Sequence, residues 1–221
     1  MKENETIPEG RIMLHSCCAP CSGAILEWMI AQGIRPVVFF SNSNISTREE
    51  YDKRFTELER YCRDLGVELV NDEYNHAEWL DAILDRAAGD STRSRELAEM
   101  PERGERCFRC FKYRLERAVR KAGELGCGVL TTSLASSRWK SLEQVDRAGQ
   151  EACGSNGVTD GGGSAVGTGM NGGVGYTRCR MTVQWWPKNW RKGGLQPRRG
   201  EIIREQGFYN QTFCGCEFSN D

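Results

Sequence analysis

Eleven cysteines, at positions 17, 18, 21, 62, 107, 110, 127, 153, 179, 214 and 216, constrain this chain more than any other feature. Seven of them form three tight groups: Cys17-Cys18-x-x-Cys21, Cys107-x-x-Cys110 and Cys214-x-Cys216. Short spacings let thiolates converge on one centre, and the long separations require a fold whose loops gather in one place. An odd count at uneven spacing is a poor disulfide framework, and 221 residues bury enough core to fold without staples. The thiolates are therefore read as metal ligands in a reducing, cytoplasmic setting.

Composition narrows the partners. Lys and Arg total 30 against 31 Asp and Glu, for a formal net charge of -1, so attraction to nucleic acid must come from a local patch. Apolar runs such as the one ending at Phe40 fall well short of the roughly 20 residues that cross a bilayer, so no membrane is expected. The opening MKENETIPEGR is polar and acidic where an export signal starts basic and turns apolar.

Strand patterns at 12–15, 34–40, 67–70 and 129–134 alternate with helical patterns at 23–32, 51–65, 78–87, 111–125 and 142–153. Between 51 and 65 the apolar positions recur every three to four residues. This alternation predicts a parallel α/β sheet with right-handed crossovers in one domain spanning 1–221. Val183 to Trp186 reads as a late strand and Glu201 to Gln206 as a short helix. From Gly154 to Gly175, ten of 22 residues are glycine, which reads as a flexible insertion. In an open parallel sheet ligands gather beyond the carboxyl ends of the strands, where Cys17 and the loop from Ser136 to Lys140 both fall.

A cubane cluster takes four ligands, usually thiolates. The expected allocation gives Cys17, Cys18, Cys107 and Cys110 to a [4Fe-4S] cluster, with the start of a helix at Phe111 stabilising the thiolates of the second pair. Cys21, Cys214 and Cys216 then either hold an additional mononuclear iron, or Cys214 and Cys216 cycle as a redox dithiol. Structural zinc is the alternative, though seven thiolates exceed its need of four. Cys62 and Cys127 read as core thiols, and Cys153 and Cys179 flank the glycine-rich stretch. His15 reads as a packed residue, His76 as a helix-start or pocket-edge residue, and Asp72 as a candidate oxygen ligand. From Lys188 to Arg199 there are five basic residues and no acidic one, Lys188, Arg191, Lys192, Arg198 and Arg199, interleaved with Trp190 and preceded by Trp185 and Trp186. That combination suits phosphate contacts beside stacking surfaces.

Leu14-His15-Ser16-Cys17-Cys18-Ala19-Pro20-Cys21-Ser22 resembles the opening motif of the cobalamin-independent epoxyqueuosine reductases of the QueH type. Cys107-x-x-Cys110, Thr131-Thr132-Ser133-Leu134 with Lys140 beyond it, and Gly207-Phe208-Tyr209 through Cys214-Gly215-Cys216-Glu217-Phe218-Ser219 are similar to the remaining signatures. Asn42, Asn44, Tyr51 and Arg54 fall in that family's asparagine-rich loop and following helix. The resemblance covers most of 11–153 and 184–219. It implies a Rossmann-like core related to the adenine-nucleotide hydrolase-like group, with cysteines in place of its phosphate loop. It further implies an iron–sulfur cluster beside a second redox element, no cobalamin, an external electron donor, and reduction of epoxyqueuosine to queuosine at the wobble position of tRNA. Asn42, Asn44 and Lys140 become substrate-side residues, and Tyr74, Trp79 or Trp139 become walls for an extruded base. Asn189 stands where the family commonly has aspartate. A zinc-stabilised RNA-binding module without catalysis is the competing reading. A tRNA thiolation enzyme is a third, lacking the phosphate loop it needs.

Overall fold

The computed structural model describes residues 6–156, 158–160 and 180–219. In chain order its elements are β1 (Ile12–Ser16), α1 (Ala19–Ala31), β2 (Val37–Phe40), α2 (Arg48–Leu65), β3 (Leu69–Asn71), α3 (His76–Ile83), α4 (Ser91–Glu99), α5 (Glu105–Glu124), β4 (Val129–Thr132), α6 (Leu142–Asn156), β5 (Val158–Asp160), β6 (Arg180–Thr182), β7 (Gln184–Trp185) and α7 (Leu195–Gln206). Five strands pair in the order β3-β2-β1-β4-β7, every neighbour parallel, while β5 and β6 form a separate antiparallel pair. The expected parallel α/β architecture is present. β1, β2 and β4 are buried along their whole lengths, which explains why they read as continuous apolar runs rather than alternating ones. The chain order reverses direction between β1 and β4, the switch point at whose carboxyl ends ligands gather in open parallel sheets.

Several helices start earlier than their apolar stripes suggest, because local features of the first turn set the ends. α1 begins at Ala19 rather than Gly23, with Pro20 in the first turn, where its fixed φ suits a helix and its missing N–H costs nothing. α2 begins at Arg48, since the Thr47 side chain accepts from the backbone N–H of Glu50 at 3.2 Å. α5 begins at Glu105, so Cys107 and Cys110 lie inside its first two turns rather than ahead of them. α7 runs from Leu195, well before the expected Glu201.

α5 and α6 pack together, and α6 meets β7 through Gly149: a Cβ there would lie 2.3 Å from the Trp185 ring. A smaller apolar cluster of Trp79, Ile83, Leu84, Leu97 and Cys110 joins α3 and α4 to α5. Most of the glycine-rich stretch, together with Cys179, lies outside the described residues.

Candidate metal centre

Cys17 directly follows β1, Cys18 is the N-cap of α1 and Cys21 sits in its first turn. Starting the helix so early folds the three sulfurs onto one point, all within 4.8 Å of one another, with Cys17 and Cys18 3.8 Å apart. Cys21 therefore stands with Cys17 and Cys18, whereas the expected allocation set it with Cys214 and Cys216. The cysteines at 18 and 21 hydrogen-bond the Cys17 sulfur and hold its thiol well below the ordinary value against the opposing effect of burial, helped by the charges of Lys140 and Arg114. Burial drives Cys18 upward, and its bond to Cys17 pushes Cys21 up to about 11. One buried thiolate solvated by two thiols is a donor set waiting for a soft cation. Ser133, just beyond β4, fixes it: the Cys17 backbone N–H donates to Ser133 Oγ at 3.0 Å, and that hydroxyl donates to Cys17 Sγ at 3.3 Å. Gln211 Nε2 donates to Cys18 Sγ at 2.7 Å.

A second group of sulfurs faces the first. Hydrogen bonding from Cys216 lowers the Cys214 thiol well below its usual value despite burial, with Lys140, Arg114 and Arg54 adding positive charge, while Cys216 rises correspondingly. The charge of Cys214 acts on both Cys107 and Cys110. Burial raises the thiols of Cys107 and Cys110, Cys110 to about 11, while the backbone N–H of Arg103 just ahead of α5 donates to Cys107 Sγ at 3.3 Å and opposes the rise there. Half-buried Lys140 feels the charge of both groups. Burial opposes its charge, and the sulfurs of Cys214, Cys17 and Cys21 more than restore it.

The family profile described as "Epoxyqueuosine reductase QueH" matches residues 12–159 and 171–221. The chain belongs to the QueH epoxyqueuosine reductase family. It is 34% identical over 215 residues to the epoxyqueuosine reductase QueH of Histophilus somni, covering 96% of this chain and 74% of that protein. The Haemophilus influenzae relative is 32% identical over 221 residues, 99% of this chain and 76% of its own, and the Acinetobacter baylyi relative is 32% identical over 209 residues, 95% and 80%. The QueH match passes over 160–170, inside the glycine-rich stretch. The chain is thus a metal-dependent oxidoreductase of the QueH type, and among its described residues no helix is long and apolar enough to cross a membrane.

Around the QueH sulfurs, several residues expected to touch metal or substrate are committed elsewhere. Asp72 accepts from Arg117 Nε at 2.6 Å and Nη2 at 2.9 Å, from Ser41 Oγ at 2.6 Å and from the backbone N–H of Glu73 at 3.0 Å, which uses up its oxygens. His15 is buried with both ring nitrogens engaged, Nδ1 with the Thr132 hydroxyl at 2.7 Å and Nε2 with Ser41 O at 3.2 Å. His76 is split between Ser43 O at 2.8 Å and Glu217 at 3.2 Å, tying α3 to the Cys214-x-Cys216 segment. Asn42 donates to Ser16 O at 3.0 Å and accepts from Arg114, so it braces the end of β1. Asn44 is buried with Oδ1 unpartnered. Tyr74 donates to Ile45 O at 2.7 Å, and Trp79, 1% exposed, is core rather than wall.

Sequence reasoning missed Arg114. It is one turn beyond Cys110 on the same face of α5, a spacing that gave the only available signal, and it is 1% exposed. Its Nε donates to Ser41 O at 3.0 Å, planting a fixed cation behind both sulfur groups. Arg54 secures the Cys214-x-Cys216 segment. Its Nη1 donates to Cys214 O at 3.0 Å, and Gly215, at φ +103°, leaves no room for a Cβ, which would lie 3.2 Å from that guanidinium.

The basic stretch is mostly turned inward. Lys188 is buried with Nζ 4.2 Å from the Trp28 ring centre and 5.0 Å from that of Trp190. Arg198 binds Glu27, Glu201 and Glu205, and Arg199 donates to Asn210 at 3.2 Å. Arg191 donates to Ser137 O and Lys140 O, leaving Lys192 as the exposed member of the run. Asn189 accepts from the Arg191 backbone N–H at 3.1 Å, so it supports the turn that aims Arg191.

Proposed function

We propose that this chain reduces the epoxide of epoxyqueuosine at the wobble position of tRNA, using a [4Fe-4S] cluster and an additional mononuclear iron, with electrons from an external donor and without cobalamin. The observation that carries the reading is the cluster of Cys17, Cys18 and Cys21, with sulfurs within 4.8 Å of one another; the electrostatic influence of Cys214 on Lys140, Cys107 and Cys110 supports a second sulfur group near it. Three soft donors within 4.8 Å fit an iron–sulfur centre, and the facing group supplies further thiols for a fourth ligand and a second ion. The bound centre supplies electrons one at a time.

Converting the epoxide to an alkene takes two electrons and two protons and releases the oxygen as water. The chain's own groups serve the oxygen and the protons. Lys140 Nζ, kept charged by the sulfurs near it, stabilises developing negative charge on the oxygen. Arg114 holds fixed positive charge beneath, and Ser133 keeps Cys17 oriented. Cys214 and Cys216 pair a thiolate with a thiol, which suits either ligation or a redox dithiol. The sheet order, with a cysteine turn joining β1 to α1, supports descent from the adenine-nucleotide hydrolase-like group with its phosphate loop replaced.

Anaerobic iron, sulfide and zinc analysis followed by turnover on tRNA carrying epoxyqueuosine tests the proposal. Four or more irons with about four sulfides and formation of queuosine are expected. Zinc alone after anaerobic reconstitution, with no turnover, would return the chain to a structural RNA-binding role.

A further inference from the structure

Trp139 is 75% exposed, the one large hydrophobic side chain open to solvent among the described residues. A single exposed apolar residue ordinarily needs no explanation, but this one has an unusual setting. Its backbone is pinned on both sides: Trp139 O accepts from Arg103 Nε at 2.9 Å, while Ser137 O and Lys140 O accept from Arg191 Nη2 at 2.5 Å and 2.8 Å. Two guanidiniums thus present the indole on a braced loop, which lowers the ordering cost of any contact it makes. Lys140, the next residue, lies within electrostatic reach of Cys17, Cys21 and Cys214, which sets the indole beside the candidate metal centre.

The surroundings are built for an anion. Arg103 adopts a left-handed backbone, φ +66°, unusual for a side chain of its size. Arg191 is lowered from its ordinary value by burial and then by the charges of Arg103 and Arg138, with Asp146 opposing, and its Nε is buried without a partner. Three like charges gathered around one loop call for a ligand that neutralises them. A groove of about 500 Å³ lined by Arg103, Ser141, Glu143, Gln144 and Arg147 continues the surface.

We propose that Trp139 is a stacking platform for an unpaired base beside the reacting nucleoside, with Arg103, Arg138 and Arg191 taking the adjoining phosphates. The proposal rests on the tRNA substrate assigned above. An unpaired base offers a π-face to an aromatic ring whatever its identity, and the flanking guanidiniums hold the backbone. The buried Trp79 and the hydrogen-bonded Tyr74 leave Trp139 as the aromatic free to do this.

The test is the affinity of the metal-loaded chain for a fluorescently labelled anticodon stem-loop RNA. Trp139→Ala should weaken binding roughly 5- to 150-fold, and Trp139→Phe should recover most of the loss. Arg138→Gln should lower the slope of log affinity against log salt by about 0.7. In turnover, Trp139→Ala should raise KM and leave kcat within about twofold, the pattern of lost uniform binding. Equal RNA affinity of Trp139→Ala and the natural chain overturns the stacking role, whether or not the epoxide is reduced. Lost RNA affinity in a chain whose natural form gives no turnover upholds the platform and removes only the reductase reading.

Discussion

Ser133 Oγ lies 3.0 Å from the backbone nitrogen of Cys17 and 3.3 Å from its sulfur, so one hydroxyl beyond β4 both receives the main chain and braces the thiolate beyond β1. Ser133→Ala should keep the fold and loosen the metal, with affinity falling about 10- to 100-fold, as when a ligand's supporting hydrogen bond is lost. Competition against a chelator measures it. Unchanged retention would show that Cys17 needs no such support.

Cys214→Ser should abolish queuosine formation whether Cys214 binds metal or cycles with Cys216. Because the segment is held by Arg54, by Gly215 O accepting from the Ser46 backbone and by His76 on Glu217, the melting temperature of the metal-free chain should move by no more than about 4 °C. Full activity in this variant would exclude both roles.

Gly149 touches the Trp185 ring so closely that a methyl group has no room. Gly149→Ala should therefore destabilise the chain by about 1–3 kcal/mol from overpacking, although alanine favours the helix by up to about 1 kcal/mol. Chemical denaturation measures the sum. A more stable variant would mean that α6 and β7 separate easily.

His15 gives a pH dependence whose sign is fixed. Burial first, then the charge of Arg114, lowers its pKa from 6.5 to about 3, so the fold keeps it neutral. Its contribution is complete above pH 6.5 and is lost as the pH falls toward 3, because the unfolded chain then takes up a proton that the fold refuses. The slope amounts to at most about 1.4 kcal/mol per pH unit. His15→Gln should flatten the stability curve of the chain in that interval, and an unchanged slope would assign it to other groups.

Burial pushes the thiols of Cys62 and Cys153 up to about 12 and raises that of Cys127. Iodoacetamide at pH 8 should modify Cys62 and Cys153 roughly a thousandfold more slowly in the folded than in the unfolded chain. Mass-resolved labelling distinguishes them, and fast labelling of Cys153 would mean that the end of α6 opens readily.

Much of this was legible in the sequence, for reasons particular residues explain. The buried strands announce themselves because Ile12, Met13 and Leu14, or Val37 to Phe40, need no alternation when both sheet faces are covered. The cysteine groups were visible as spacings, and the family resemblance agreed with the profile match. Helix starts were not, since Pro20 in a first turn, the Thr47 cap and the acidic Glu105 opening α5 act locally in ways that an apolar stripe does not register. Charge in a linear run does not show pairing: Arg198 stands in a basic stretch, but Glu27, 171 residues away, and Glu205 on the same helix bind it. Arg114 escaped because a lone arginine in a charged helix carries no mark of burial.

The cysteines come from segments around 17–21, 107–110 and 214–216, brought together only by the completed sheet and the strap over Arg54. A chain still in the process of folding offers each pair alone, a weak and promiscuous chelator. Each segment must first meet the loop-closure entropy of stretches of about a hundred residues. Loading is therefore linked to maturation: metal delivered to the finished chain shifts the folding equilibrium in its favour, while metal met earlier finds partial ligand sets. In a cell, scarcity of that metal would show up as a pool of chain that is more easily unfolded and degraded.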